Sequence, residues 1–260
     1  MLFLKSTILA LIQALTEFLP ISSSGHLAIV QKIFNLSNFN LSFDVFLHLG
    51  SALALIIFFY KDWIQIFKEA KDDFKNSLFL KLIIGLIPAA IFGFLINFYN
   101  LSFNQSLTLI IFNTIFFALI LFWADKNSGE AKLKSLNFMQ VILIGIAQAL
   151  ALFPGVSRSG ITITAALFLG LNRSDSARFS FILATPAILG ANIIELPKLS
   201  NLAPNLIWPY ILGFIASLIF SYLVVAWLLN YLKNNRLLPF VIYRLILGLT
   251  LIILLITHII

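Results

Sequence analysis

Cysteine is absent from this chain of 260 residues, and charged residues make up only 10% of it. The lack of cysteine excludes disulfides, iron–sulfur clusters and thiolate nucleophiles. Soluble domains usually carry about 25% charged residues, so the low charge excludes an ordinary soluble domain. No charged residue occurs in 82–124 or in 199–232, and each run is longer than the roughly 20 apolar residues that cross a bilayer. Because no polar stretch is long enough for a second domain, we predict a single membrane domain over residues 1–260.

Acidic residues are also few, since 10 Asp and Glu stand against 17 Lys and Arg. In a soluble protein such a balance can indicate nucleic-acid binding. In a membrane protein it is better explained by basic cytosolic loops. We therefore expect no nucleic-acid partner, and we expect the bilayer to surround the chain.

Apolar runs between breaks predict an all-α fold with six transmembrane helices. These spans are 44–60, 82–98, 107–124, 178–195, 209–229 and 239–257. Two further apolar regions, 4–34 and 137–171, are interrupted at their centres by Pro, Gly and Ser. The first break is 20–26 and the second break is 154–160. Each arm has about 12–18 residues, which is short for a span. We predict two re-entrant helical hairpins, whose non-helical backbone must be satisfied by protein or by a wet cavity.

The basic residues agree with this layout. They are concentrated in segments 61–81, 125–137, 173–178 and 230–238, which six spans and two hairpins place on one face. The other face receives only three lysines, Lys5, Lys32 and Lys198. The positive-inside rule makes the basic face cytosolic, which predicts a multi-pass protein of the bacterial inner membrane. Segment 62–81 carries apolar residues at helical spacing, which indicates an amphipathic helix on the inner surface or a short soluble loop helix.

The two interrupted regions resemble each other. Each contains Gln-Ala-Leu, starting at Gln13 or Gln148, and nine residues after that glutamine comes Ser-x-Ser-Gly, starting at Ser22 or Ser157. Each region is followed by three predicted spans, an odd number, so the second half is predicted to be inverted relative to the first. We therefore predict two inverted repeats, at about 1–130 and 131–260. The alternative is a chance match over a short serine–glycine motif.

The residues of the two breaks suit the binding and cleavage of an anion. Serine caps helix N-termini, whose unpaired N–H groups favour anions. Arg158 in the second break adds a planar donor fork that suits phosphate, and the first hairpin adds the Glu17 carboxylate and the His26 imidazole. Phosphoryl transfer needs charge stabilisation, a nucleophile and a proton-transfer group, and the two breaks together supply them.

Structural explanations compete with these roles. Serines in membrane helices often bond only to backbone carbonyls, which is the alternative for Ser22 and Ser159. A purely structural ion pair is the alternative for Glu17 and Arg158. Other titratable residues are expected to be structural or to anchor span ends: His48, His258, Asp44, Glu195 and Arg244.

Two segments resemble the signatures of a known family. Residues 13–26, QALTEFLPISSSGH, resemble the first signature of the undecaprenyl-diphosphatase (bacitracin resistance) family, and residues 154–162, PGVSRSGIT, resemble its second. The similarity extends over nearly the whole chain, through 43–63, 178–190 and 239–248. It implies an enzyme that hydrolyses undecaprenyl diphosphate to undecaprenyl phosphate and phosphate at a site open to the outer face. It further implies recycling of the carrier lipid for cell-wall synthesis and resistance to bacitracin.

The resemblance also implies roles for single residues. Four match the family's catalytic residues: Glu17, Ser23, His26 and Arg158. Eight more are expected to contact the polyprenyl diphosphate: Gln13, Ser22, Ser24, Gly25, Ser157, Ser159, Gly160 and Thr162. Gln13 stands where the family usually has an acidic residue, so the pair of acids that could ligate a metal is incomplete. A Mg²⁺ or Ca²⁺ ion that bridges the diphosphate oxygens stays an open expectation with no assigned protein ligand, and no organic cofactor is expected.

The expected mechanism uses both breaks. Arg158 and two helix starts hold the phosphates, Ser23 attacks the terminal phosphorus or positions a water that does, His26 moves the proton, and Glu17 orients His26. A transporter or flippase of undecaprenyl phosphate is the alternative, since transporters share the inverted repeat. Membrane members of the acid phosphatase family fit less well, because no His-x-x-x-Asp follows Arg158. The oligomeric state stays open, with a homodimer as one option.

Overall fold

The computed structural model describes residues 2–23, 26, 30, 41–99, 106–195 and 204–257. This part of the chain folds into ten α-helices and has no β-strand, apart from one isolated bridge between Ala131 and Leu171. The helices are α1 (Leu2–Phe18), α2 (Leu41–Phe58), α3 (Tyr60–Asp72), α4 (Leu78–Phe98), α5 (Leu107–Lys126), α6 (Phe138–Leu150), α7 (Arg158–Phe168), α8 (Arg173–Glu195), α9 (Ile207–Tyr231) and α10 (Leu238–Ile256). The predicted all-α class is confirmed.

Several of these helices are long and apolar enough to cross a membrane. Among the described residues, α4, α5, α8, α9 and α10 pass on length and composition, and the pair α2 and α3 passes together despite a bend of 70°. Large apolar side chains such as Phe94, Trp208 and Ile246 are more than half exposed, as expected where lipid covers the surface. The chain is therefore a multi-pass membrane protein with five or six candidate spans, which overlap the six predicted ones.

The predicted helix over 62–81 ends early in the structure. Helix α3 stops at Asp72, and the side chain of Asp73 then accepts hydrogen bonds from the backbone and side-chain nitrogens of Asn76. Ser77 caps the next helix by accepting from the backbone N–H of Leu80 at 3.2 Å. Two polar side chains that bond to nearby backbone thus divide the segment, and α4 begins before the predicted start at 82.

Contacts between charged loops support a common basic face. The Nε of Arg173, at the start of α8, lies 2.5 Å from Oδ1 of Asp125 at the end of α5. Arg178 forms an ion pair with Asp62 in the first turn of α3. The Nζ of Lys81 lies 5.7 Å from the centre of the Phe138 ring. Three pairs of helix ends that are predicted to face the cytosol are therefore in contact: α8 with α5, α8 with α3, and α4 with α6.

Small residues allow two close helix crossings in corresponding parts of the chain. A Cβ on Gly85 of α4 would lie 3.0 Å from a side-chain carbon of Val141 in α6, and a Cβ on Gly213 of α9 would lie 2.9 Å from Oγ of Ser6 in α1. Ser6 and Val141 each lie seven residues before the glutamine that begins the shared motif. Corresponding glycines thus contact corresponding helices, as two repeats would require, and the division near residue 130 stays a prediction.

Candidate active site

Both breaks adopt the same rare backbone conformation at the same motif position. Ser22 has φ 77° and Ser157 has φ 73°, and they are the two residues other than glycine with positive φ in the described chain. Such angles are uncommon for residues with a Cβ and cluster at functional sites. In the second break the turn lets Oγ of Ser157 accept from the backbone N–H of Gly160 at 3.2 Å, which starts α7.

The carboxylate of Glu17, at the end of α1, joins the two breaks. It forms an ion pair with Arg158 from the second break, and its Oε2 accepts from Oγ of Ser23 at 2.7 Å and from Nε2 of Gln13 at 3.0 Å. The Glu17 side chain is only 3% exposed. A buried carboxylate needs such partners, because an unpaired charge in a low-dielectric site is costly.

His48, which the sequence analysis treated as structural, also reaches Glu17. Its Nδ1 lies 2.7 Å from the backbone oxygen of Asp44 and must donate, since a carbonyl only accepts. Its Nε2 lies 3.4 Å from Oε2 of Glu17. Because Nδ1 already carries a hydrogen, this contact is attractive in the form in which a second proton lies between Nε2 and the carboxylate. His48 is therefore part of the site and was missed because the contact depends on how α2 packs against α1.

His26 has partners other than the expected Glu17. Its Nδ1 donates to the backbone oxygen of Ser22 at 2.7 Å, and its Nε2 lies 2.7 Å from the hydroxyl of Tyr243 in α10. The planes of the two rings are nearly parallel, at 15°, with centroids 5.6 Å apart. The prediction that Glu17 orients His26 is not supported by the hydrogen bonds of the described residues. Both ring nitrogens are engaged elsewhere, and Glu17 instead faces Ser23 and His48.

Arg244 binds the backbone of both breaks and so holds them together. Its side chain is completely buried, and its guanidinium donates to the backbone oxygens of Pro20 in the first break (3.4 Å) and of Gly155 and Val156 in the second (3.0 and 3.2 Å). It also donates to the backbone oxygens of Asn113 and Thr114 in α5. The sequence predicts this residue at a span end. The structure puts it inside α10, where its charge is solvated by carbonyls rather than by water.

The remaining predicted contacts of the second break face protein. Ser159 donates to the backbone oxygen of Leu19 at 3.0 Å, which ties α7 to the first break. Thr162 donates to the backbone oxygen of Arg158 at 2.8 Å and lies 2.6 Å from Oγ of Ser180 in α8. A Cβ on Gly160 would lie 3.1 Å from Nη1 of Arg244, so this glycine leaves room for the buried guanidinium.

Some predicted substrate contacts are open or undescribed. Oε1 of Gln13 and Oγ of Ser22 are buried and have no hydrogen-bond partner within the described ranges. Ser24 and Gly25 lie outside the described residues, so their predicted roles stay predictions. In the second break Leu152 occupies the position of Glu17, four residues after the motif glutamine. The acid of the site therefore comes from the first break alone, and the second contributes the guanidinium.

A cavity of about 450 Å³ opens beside this cluster. Apolar side chains form most of its wall, among them Ile12 and Leu15 of α1 and Phe240 of α10, and His26 and Tyr243 also line it. Glu17 and Arg158 are not among its lining residues. The site thus has an apolar side, which ends at His26, and a charged side, which is centred on Glu17.

Comparisons with known proteins agree with the sequence signatures. Residues 6–250 match the family model described as bacitracin resistance protein BacA. A relative named undecaprenyl-diphosphatase from Elusimicrobium minutum is 43% identical over 253 residues, which is 96% of this chain and 96% of the relative. Relatives of the same name from Geotalea daltonii and Alcanivorax borkumensis are 41% and 42% identical, over 94% and 95% of this chain and 95% and 97% of the relatives.

Proposed function

This chain belongs to the bacitracin resistance protein BacA family, and we propose that it hydrolyses undecaprenyl diphosphate to undecaprenyl phosphate and phosphate at the Glu17–Arg158 cluster. The observation that carries the site assignment is the position of Glu17. Its carboxylate contacts both the Ser23 hydroxyl of the first break and the Arg158 guanidinium of the second. A hydroxyl beside a carboxylate base and a fixed cation is the arrangement that phosphoryl transfer requires.

The chemistry follows from these contacts. Ser23 already points its hydrogen at Oε2 of Glu17, so Glu17 is the base that takes the proton as an oxygen attacks the terminal phosphorus. That oxygen is either Oγ of Ser23 or a water that Ser23 holds. The new P–O bond replaces the bond to the bridging oxygen, and the lipid monophosphate leaves with that oxygen. If water attacks, phosphate is released directly; if Oγ attacks, a water then cleaves the Ser–O–P ester to release phosphate and restore the hydroxyl. Arg158 can hold the terminal phosphate while still paired with Glu17, because a guanidinium has five N–H donors.

The apolar cavity suits the other end of the substrate. Its walls of Ile12, Leu15 and Phe240 would contact the first prenyl units, because apolar chains favour apolar surface over water. A lipid diphosphate bound in this way has its lipid-linked phosphate near His26 and its terminal phosphate near Arg158. The orientation explains how a single site handles a long apolar tail and a highly charged head.

The arrangement of the chain in the membrane is part of the same proposal. Six spans and two re-entrant hairpins in inverted repeats put the basic loops in the cytosol of a bacterial inner membrane and open the site to the outer face. The contacts between Arg173, Arg178 and Lys81 and their partners support a common basic face. Recycling of the carrier lipid on the outer face, and resistance to bacitracin, follow from the reaction. The homodimer stays a prediction.

The described residues do not fit a divalent cation held by the protein. Mg²⁺ and Ca²⁺ require several oxygen ligands, whereas the carboxylate of Glu17 is already surrounded by the side chains of Gln13, Ser23, His48 and Arg158. The unpartnered Oε1 of Gln13 adds only one further oxygen. No group of three or more His, Asp or Glu within the described ranges could hold a metal ion. A cation that assists the reaction would be carried by the diphosphate oxygens.

The test is phosphate release by the purified protein in detergent or nanodiscs. Arg158→Ala should lower the rate of release from undecaprenyl diphosphate by about 100-fold or more, because it removes a fixed cation from the charged transition state. Arg236→Ala is the matched control, since Arg236 is exposed in the loop between α9 and α10. Near-normal release by the Arg158 variant would reject the site.

The transporter alternative has less support. An alternating-access carrier needs a binding site but no nucleophile, whereas the site contains a hydroxyl aimed at a carboxylate. Release of phosphate by the protein in detergent, where there is no membrane to cross, would separate hydrolysis from transport.

A further inference from the structure

Tyr243 contacts the proposed catalytic histidine but has no part in the chemistry described above. Its hydroxyl lies 2.7 Å from Nε2 of His26. Nδ1 of His26 donates to the carbonyl of Ser22, so in the neutral ring Nε2 bears only a lone pair. The Tyr243 hydroxyl must then donate to Nε2. The two contacts together select one tautomer of His26 and fix the plane of its ring.

We propose that Tyr243 is a positioning residue for the hydrolysis: it fixes the tautomer and ring plane of His26 so that Nε2 faces the lipid-linked phosphate and can exchange the Tyr243 hydroxyl for a phosphate oxygen. This inference rests on the proposed function. His26 and Tyr243 line the apolar cavity, whereas Glu17 and Arg158 do not. A diphosphate that spans the two sides presents its terminal phosphate to Arg158 and its lipid-linked phosphate to the pair of rings.

The neighbouring residue on α10 explains why Tyr243 is held at this position. Arg244 donates to the carbonyl of Pro20, two residues before Ser22. The backbone of the first break is therefore bound to α10 at Arg244, and the His26 ring that follows it is bound at Tyr243. One turn of α10 thus sets the position of the histidine relative to the break that carries it.

A hydroxyl suits this task in both charge states of the ring. It donates to Nε2 when His26 is neutral, and it can turn to accept from Nε2–H when His26 is protonated. Phenylalanine can do neither, although it fills the same space. The Tyr243→Phe substitution therefore removes the hydrogen bond and leaves the ring packing unchanged.

The experiment compares Tyr243→Phe with Tyr222→Phe in the full-length protein in nanodiscs, with undecaprenyl diphosphate as substrate. Tyr222 in α9 is the matched control, because it is also a partly exposed tyrosine, at 40% against 43% for Tyr243, and its ring contacts Phe58 away from the site. We expect Tyr243→Phe to lower kcat roughly tenfold or more with KM within about twofold, as for loss of a hydrogen bond that orients a proton-transfer group. Tyr222→Phe should match the wild type.

A second readout distinguishes positioning from general damage. The sequence has only 3 histidines, so ¹⁵N-histidine NMR can resolve each ring, with His26→Gln and His48→Gln to assign the signals. His26 of the wild type should be a single Nδ1–H tautomer whose Nε2 signal is shifted by the accepted hydrogen bond. In Tyr243→Phe that signal should move toward the value of a free imine-type nitrogen or split between tautomers.

Three results would overturn the inference. They are an unchanged kcat and KM in Tyr243→Phe, a rise in KM with kcat unchanged, or a lower kcat with the His26 signals unchanged. Each differs from failure of the proposed function, which would show as normal phosphate release by Arg158→Ala. A thermal midpoint equal to that of the wild type confirms that the variant is folded.

Discussion

Glu17 and Arg158 form an ion pair although they are 141 residues apart in the sequence. Each lies at an interruption of an apolar segment, and neither would tolerate burial at membrane depth alone. The pair therefore brings the two breaks together and forms the charged side of the site.

Replacing Glu17 by a residue of the same size should strongly lower phosphate release. Glu17→Gln keeps the side-chain size but cannot take the proton of Ser23, so we expect phosphate release to fall about 100-fold or more. Release is measured with the purified protein, and Glu69→Gln is the matched control, because Glu69 is only partly buried on α3 and its side chain bonds only to nearby Gln65 among the described hydrogen bonds. Retained activity in Glu17→Gln would transfer the role of base to another group.

His48 should be replaceable by a residue that donates to Glu17. The Gln side chain has an N–H donor that can reach Glu17 from α2, whereas Leu has a similar volume and no donor. We expect His48→Gln to keep activity within about threefold and His48→Leu to lose roughly tenfold, the usual size of one hydrogen bond to a charged group. Equal activities of the two variants would show that His48 serves only to fill space.

Loss of Arg244 should destabilise the fold as well as the site. Its guanidinium donates to five backbone oxygens from three parts of the chain, and a lysine cannot form the same planar set of bonds. We expect Arg244→Lys and Arg244→Ala to cost roughly 3 kcal/mol or more. That corresponds to a fall of about 5–10 °C in the thermal midpoint, measured in detergent. An unchanged thermal midpoint in both variants would show that the hydrogen bonds of Arg244 do not stabilise the fold.

The close contact of α4 with α6 leaves no room for a side chain at Gly145. A Cβ on Gly145 would overlap the backbone oxygen of Gly85, whereas a Cβ on Gly190 would meet nothing within 4 Å. Gly145→Ala should therefore lower the thermal midpoint, and Gly190→Ala should leave it unchanged or raise it, because alanine favours helix by about 1 kcal/mol. Equal thermal midpoints for the two variants would show that the close contact of α4 with α6 does not contribute to stability.

Metal binding by the substrate-free protein is expected to be absent. The carboxylate of Glu17 and the unpartnered Oε1 of Gln13 are too few oxygen ligands for a divalent cation, so titration with Mn²⁺ followed by EPR should show no stoichiometric site. A saturable site with one Mn²⁺ per chain that disappears in Glu17→Gln would contradict this expectation. The measurement uses no substrate, so metal carried by the diphosphate does not affect it.

The sequence predicted some of these features because their signals are local. Runs without charge indicated the spanning helices, and the repeated serine–glycine motif indicated that Ser22 and Ser157 would be alike, as their φ values are. The positions of His48 and Tyr243 could not be read in this way, because each depends on how one helix packs against another. Arg244 did carry a signal, namely a charge within an apolar run, but only the structure shows that backbone carbonyls surround it.

The position of Arg244 has a consequence for biogenesis. Helix α10 follows every other element of the site in the sequence, yet it supplies both the guanidinium beneath the breaks and the hydroxyl beside His26. During synthesis the two interrupted segments would therefore insert before the residue that fastens them. The nascent protein would therefore not hydrolyse the lipid diphosphate until α10 had entered the membrane.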